Sequence, residues 1–165
     1  MTNPAENHVV VILNNIRSNE NVGSIFRTCD AVGVTKIFLC GYTPAPLDRF
    51  GRQNKALTKA SLGAEKFVEW ERTESLEEAV NVLKNYTSSD NFSKFKIIAV
   101  EQDKRSINYK LISNNDNLAL VFGNEVDGLS KEDLALCDVV AEIPMRGKKE
   151  SLNVAVAVGV VLFSL

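Results

Sequence analysis

Apolar runs rich in β-branched residues recur along this chain, and they limit its fold more than any other feature. They are His8–Leu13 (HVVVIL), Lys36–Cys40 (KIFLC), Phe95–Val100 (FKIIAV), Leu118–Phe122 (LALVF) and Val139–Ile143 (VVAEI). Each is short and continuous rather than alternating, as in strands covered on both faces. Between them the spacing turns helical. Val22, Ile25, Phe26, Cys29 and Val32 share one face of a helix that Gly33 would stop. Arg27 stands almost opposite that face, beside Gly23 and Ala31. Further helices are expected from about Arg52 to Ser61, from Ser75 to Tyr86, and from Ser130 to about Cys137, where Asp133 completes a capping box. Phe67 to Trp70 reads as a short strand, and GYTPAPLDRFG as an irregular loop. Such alternation predicts an α/β domain with a mainly parallel sheet and helices on both faces.

The 165 residues suit one domain, and without a repeat or linker the expectation is a single domain over 1–165. The longest apolar run, Val154–Phe163, is half of what a membrane span needs, roughly 20 residues. MTNPAENHVV lacks a basic region followed by an apolar core, so no secretory leader is expected. The expectation is a cytoplasmic protein without a membrane partner. Cys29, Cys40 and Cys137 are widely spaced and read as buried free thiols. His8 is the only histidine, so no metal is expected. Net charge is -2, yet between Arg17 and Lys66 eight Lys/Arg face four Asp/Glu. That basic third permits contact with an anionic polymer.

Ligands of parallel sheets gather beyond the C-terminal ends of the strands. The segments there are NNIRSNEN, GNEVDG and PMRGKKES, all rich in Gly, Asn and charge. GxGxxG is missing from the first β-α turn and GxxxxGK[ST] from the whole chain, which argues against dinucleotide and P-loop sites.

Three ordered motifs carry a resemblance. NIRSNENVGSIFRTCDAVGV holds Asn21, Gly23 and Arg27; LALVFGNEVDGLS holds Gly123, Asn124, Glu125 and Gly128; EIPMRGKKESLNVAVAVGVVLF holds Ile143, Pro144, Met145, Ser151, Leu152 and Asn153. A weaker patch, KASLGA, lies between the first two. Over nearly its whole length the chain resembles the SpoU/TrmH-type RNA ribose methyltransferases of the SPOUT superfamily. The resemblance implies the α/β-knot fold, with a C-terminal trefoil knot built from the second and third motif regions. It also implies a helix after Asn153. The alternation of Val154, Val156, Val158 and Val160 with small residues would by itself read as a strand. Ala155 and Gly159 would give that helix a smooth stripe for close packing, with Ser151 or a neighbour as its cap.

The resemblance further implies methyl transfer from S-adenosylmethionine to a ribose 2'-hydroxyl of RNA, leaving S-adenosylhomocysteine. Gly123, Ile143 and Leu152 match the family's cofactor contacts, with Met145 and Asn153 as neighbours. Arg27 matches the catalytic arginine. As a general base it is a poor candidate, because guanidinium stays protonated. It could instead clamp a phosphate or stabilise developing alkoxide charge. Asn21 would orient Arg27 or the ribose, Glu125 would pair with a cation or fix the second loop, and Ser151 and Asn153 would hold the third loop. Gly23 and Ala31 would leave clearance for the RNA backbone. RNA contacts are expected from Arg27, Arg17, Arg49, Arg52, Lys55 and Lys59, with Lys148 and Lys149 as further candidates. The family usually forms homodimers.

Asn19 stands where the family often has proline, and Val126 where it often has glycine. No N-terminal RNA-binding extension is expected, which favours tRNA slightly over rRNA. Two alternatives stay open: a catalytically inactive cofactor- or RNA-binding homologue, and a nucleotide-binding α/β module that binds no RNA.

Overall fold

A computed structural model describes residues 7–89 and 94–165. Most of the N-terminal stretch read for a leader therefore lies outside the described residues. Among these residues seven strands form one sheet: β1 (Val9–Asn14), β2 (Lys36–Cys40), β3 (Glu69–Thr73), β4 (Phe95–Val100), β5 (Ile107–Asn108), β6 (Asn117–Phe122) and β7 (Val139–Glu142). Their order is β3-β2-β1-β6-β4-β7-β5, and every pair is parallel.

Among the described residues five α-helices cover the sheet: α1 (Asn19–Val32), α2 (Lys55–Ser61), α3 (Leu76–Ser89), α4 (Lys131–Ala135) and α5 (Val154–Leu162). The apolar runs divide by parity, as the two-residue period of a strand requires. Val11, Leu13, Ile37, Leu39, Leu118, Leu120 and Phe122 pack with α1, α2 and α5. Val10, Ile12, Phe38, Cys40, Ala119 and Val121 pack with α3 and with Leu134 of α4. Helices on both faces therefore explain why the strands are apolar without alternation.

α1 begins at Ser18, whose hydroxyl accepts from Asn21 N at 3.1 Å, and ends at Gly33 with φ 84°. Gly23 lies inside the α1–α2 contact. A Cβ there would stand 2.4 Å from Leu57 O and 2.7 Å from Ala60 Cβ. The expected clearance for RNA at Gly23 is thus overturned: its missing side chain admits α2. Asn54 caps α2 and donates to Asn19 Oδ1 at 2.6 Å, so the residue standing where proline is frequent ties the two helix starts together.

One expectation shifts, and the helix implied after Asn153 is met. The third strand runs Glu69–Thr73 rather than Phe67–Trp70, because a 3-10 turn at Ala64–Lys66 leads into it and leaves Phe67 78% exposed. Lys36 holds this edge strand by pairing with Glu69 at 2.9 Å and Glu71 at 2.7 Å. The stretch after Asn153 is a helix: Val154, Val158, Val161 and Leu162 are buried at helical spacing. Of the expected caps, Ser151 or a neighbour, Asn153 is the one that serves, accepting from Ala155 N at 2.9 Å and Val156 N at 3.4 Å. Among the described residues a Cβ on Gly159 would meet only Thr28 Cγ2 at 3.8 Å, so close packing does not demand glycine there. No helix among the described residues is long and apolar enough to cross a membrane.

Candidate functional site

A cleft of about 250 Å³ opens at the C-terminal ends of β4, β6 and β7. Phe122, Ile143, Leu152, Val154 and Ala157 give it apolar walls. Gly123, Met145 and Ser151 also line it, so every expected cofactor position except Asn153 borders this one space. Among the described residues the ionisable side chains of the lining are Glu101, Glu125, Asp127 and Glu142, and none is basic.

The second loop is held from inside the sheet. A Cβ on Gly123 would stand 2.6 Å from the carbonyl carbon of Gly128, so glycine at 123 lets the loop fold back on itself. Gly128 has φ 66°, and its backbone lies against the Glu101 carboxylate. Glu101, at the end of β4, accepts from Leu129 N at 3.1 Å and Gln102 N at 2.8 Å. Gln102 Nε2 in turn donates to Glu150 O, pinning the third loop over the cleft. Neither Glu101 nor Gln102 was singled out in the sequence, since neither belongs to a motif.

At the cleft mouth a relay joins all three motifs. Asn153 Nδ2 donates to Asn21 Oδ1 at 3.0 Å, and Asn21 Nδ2 donates to Glu125 Oε1 at 3.0 Å. Glu125 also accepts from Arg17 N at 3.0 Å and Ser18 N at 3.2 Å. Desolvation opposes charge on Glu125, but the Arg17 N–H, the Asn21 amide and the Ser18 N–H outweigh it and hold the carboxyl below its ordinary range. Of the roles open to Glu125, the structure has it fixing the second loop to the start of α1. Asn21 thus bonds on both sides of its amide, to Asn153 and to Glu125.

Arg27 is exposed and does not line the cleft. It lies six residues beyond Asn21, or about 9 Å along the helix axis. Among the described residues it makes no salt bridge, so the pairing with Asp30 that a surface arginine would favour is not formed. Arg17 flanks the mouth, where Tyr42 first, then Asp127 and Glu125, raise its already high pKa. The Tyr42 hydroxyl accepts from Asn124 Nδ2, linking the loop after β2 to the second motif. Asn124 is buried, and its Oδ1 accepts from Val126 N at 2.7 Å. Arg49, Arg52 and Lys55 are exposed outside the cleft, as are Lys59, Lys148 and Lys149. Arg52 pairs with Asp48 at 2.7 Å.

A parallel α/β sheet with a cleft at its strand ends, bordered by two loops and with exposed cations outside it, has the form of α/β proteins that bind a ligand beyond their strand ends. The sequence pattern of the SpoU rRNA Methylase family matches residues 8–163, and the chain belongs to that family. It is 32% identical over 155 residues to the tRNA (guanosine(18)-2'-O)-methyltransferase of Aquifex aeolicus, covering 94% of this chain and 67% of the relative. It is also 32% identical to the 23S rRNA (guanosine-2'-O-)-methyltransferase RlmB of Neisseria meningitidis serogroup B, covering 98% of this chain and 59% of the relative. Among solved structures, the AdoMet-bound rRNA methyltransferase of Sinorhizobium meliloti superposes with a TM-score of 0.81 at 27% identity, over 99% of this chain and 57% of that one. The chain thus spans about two thirds or less of these relatives' length.

Proposed function

We propose that this protein transfers a methyl group from S-adenosylmethionine to a ribose 2'-hydroxyl of an RNA, with tRNA slightly favoured over rRNA. The carrying observation is the relay Asn153–Asn21–Glu125, which gathers three distant motifs at the mouth of one acidic cleft. The cleft suits the cofactor in size and charge. At about 250 Å³ it lies close to the lower end of the roughly 300–1,000 Å³ of ligand clefts, a size for one small molecule. Its carboxylates favour a cationic ligand and repel phosphate, which weighs against a nucleotide-binding module. Gly123, Ile143, Met145 and Leu152 would hold the group, with Asn153 fixing the helix beneath it. Where α/β-knot proteins tie a trefoil, β6 between β1 and β4 and β7 beyond β4 support the same crossing here.

When bound, S-adenosylmethionine supplies an electrophilic methyl group on a sulfonium. The residues of the chain then have to position the ribose and ease loss of the hydroxyl proton. Arg27 clamps the neighbouring phosphate or stabilises the developing alkoxide. The relay keeps the loops from drifting as RNA enters, and Ser151 stands at the cleft edge near the transfer point. Arg17, Arg49, Arg52 and Lys55 bind the RNA backbone outside the acidic cleft, where like charge would exclude phosphate.

The working unit is a homodimer. Arg27 does not reach its own cleft wall, and a second copy can bring one to it. α5 is apolar on all sides, with Val156 51% exposed and Phe163, just past its end, 71% exposed, a composition expected of a covered helix. Sedimentation is expected to give a dimer that Val156→Lys dissociates; a wild-type monomer that is fully active would refute this part.

Calorimetry with S-adenosylmethionine tests the cofactor, and absence of binding would overturn the assignment. Tritiated methyl transfer to RNA from cells lacking the protein separates an enzyme from an inactive binder. Arg27→Ala is expected to abolish transfer and spare cofactor affinity; full activity in that variant would remove Arg27 from the mechanism.

A further inference from the structure

The loop between β2 and α2 is fastened to the site at both ends. At its start Thr43 Oγ1 donates to Leu13 O at 2.9 Å and accepts from Ile16 N at 3.0 Å, while Tyr42 meets Asn124. At its end Asn54 holds Asn19 beside the start of α1. Leu47 and Gln53 close the neck by an antiparallel bridge, leaving residues 48–52 as a projecting tip.

That tip is built around an exposed ring. Asp48 Oδ1 accepts from Phe50 N at 2.8 Å and Arg52 N at 2.9 Å, and Asp48 Oδ2 takes the Arg52 Nε at 2.7 Å. The Arg49 guanidinium lies 4.8 Å from the Phe50 ring centroid and that of Arg52 lies 5.1 Å from it. Phe50 is nevertheless 66% exposed and belongs to neither core cluster. A single exposed apolar residue is ordinary. Here, however, the tip is ordered by hydrogen bonds and carries two cations against a ring that contributes nothing to the core.

Guanidinium groups over an exposed ring form a planar stack that an unpaired base can join, and their charge meets its phosphate. An acidic protein segment would use the arginines but has no need of the ring. A duplex hides its base faces, so the fitting occupant is an unpaired nucleotide. We propose that Phe50 stacks an unpaired base of the RNA close to the methylated nucleotide, while Arg49 and Arg52 hold the adjoining phosphates. This inference rests on RNA being the substrate. It assigns Phe50 a role in specificity: RNA with an unpaired base within reach of the cleft is preferred to continuous duplex.

The test uses fluorescence anisotropy with the full chain, a hairpin RNA carrying an unpaired loop, and a blunt duplex of the same stem. Phe50→Ala and Phe50→Leu are each expected to weaken hairpin binding roughly 5- to 100-fold, and Phe50→Trp to restore it. Duplex binding should change little. The slope of log affinity against log salt should stay unchanged in Phe50→Ala and drop by about 0.7 in Arg49→Ala. Calorimetry with S-adenosylmethionine should show the same affinity in all variants, which reports that the cleft is intact. Wild-type affinity in Phe50→Leu would mean that bulk, not stacking, matters, and would overturn the inference. So would wild-type hairpin binding by Phe50→Ala, with the RNA assignment left standing. Failure of the wild-type chain to bind either RNA would sink both readings, and retained affinity for an acidic peptide lost in Phe50→Ala would move the site to a protein partner.

Discussion

Replacing Glu125 with glutamine probes the relay with the least change in shape. The carboxylate accepts hydrogen bonds from Arg17 N, Ser18 N and Asn21 Nδ2, at 3.0, 3.2 and 3.0 Å. One oxygen takes the Arg17 bond and the other takes the remaining two. Whichever way the new amide is turned, its NH2 group faces at least one N–H donor. The variant therefore loses one or two charge-assisted bonds. Because the side chain is exposed, each is at the low end of the usual range, giving about 1–2 kcal/mol in total. For a chain of this length that is a fall in Tm of roughly 2–6 °C. The effect carries a pH dependence of known sign. A carboxyl with a depressed folded pKa stabilises the fold above its ordinary value of 4.5, and that stability is lost as pH falls through the folded value. Urea unfolding at pH 7 and near pH 3 should show a difference between wild type and Glu125→Gln that fades at the lower pH. Methyl transfer should fall at the same time, because the second loop loses its hold on α1. Equal stability at pH 7 with undiminished transfer would refute the relay.

The remaining predictions follow from the same contacts. Gly23→Ala pushes a Cβ to 2.4 Å from Leu57 O, so separation of α1 and α2 should cost about 2 kcal/mol after the gain in helix propensity, measured by urea unfolding. Asn153→Ala should lose about 1 kcal/mol with the α5 cap, while Asn153→Asp keeps the cap but sets a carboxylate against Asn21 Oδ1. The aspartate variant should therefore recover stability and stay defective in transfer; recovery of both would show that Asn153 acts only as a cap. Burial pushes Cys40 and Cys137 up to about 12 and Cys29 further still, so native protein at pH 8 should resist iodoacetamide that labels all three in urea.

Much of the fold is written in the order of apolar runs. β2 is Lys36–Cys40 as read, and β1 and β6 lie within a residue of their runs, because strands buried on both faces have no competing pattern. The Ser130–Asp133 capping box forms as expected because it is a local contact. β3 starts later than read because Phe67 and Val68 belong to the turn that precedes it, while Lys36 from β2 pairs with Glu69 and Glu71 of the strand. α5 defeats periodicity altogether: valine and alanine alternate through a helix whose burial is set by what packs on it. In the site, Asn21, Glu125 and Asn153 were nameable from motifs, but their mutual contacts span more than a hundred residues of chain. Gly23 shows the same limit. Spacing places it beside Arg27, and only the position of α2 shows that its missing side chain makes room for backbone. Glu101 and Phe50 have no motif, and their interest comes from what surrounds them.

The most direct measurement is the identity of the methylated product. RNA from cells lacking the protein, incubated with the purified chain and S-adenosylmethionine, should yield a 2'-O-methylnucleoside by nuclease digestion and mass spectrometry. That product should disappear with Arg27→Ala. A base-methylated nucleoside, or no methylated product from a chain that binds the cofactor, would contradict the assignment.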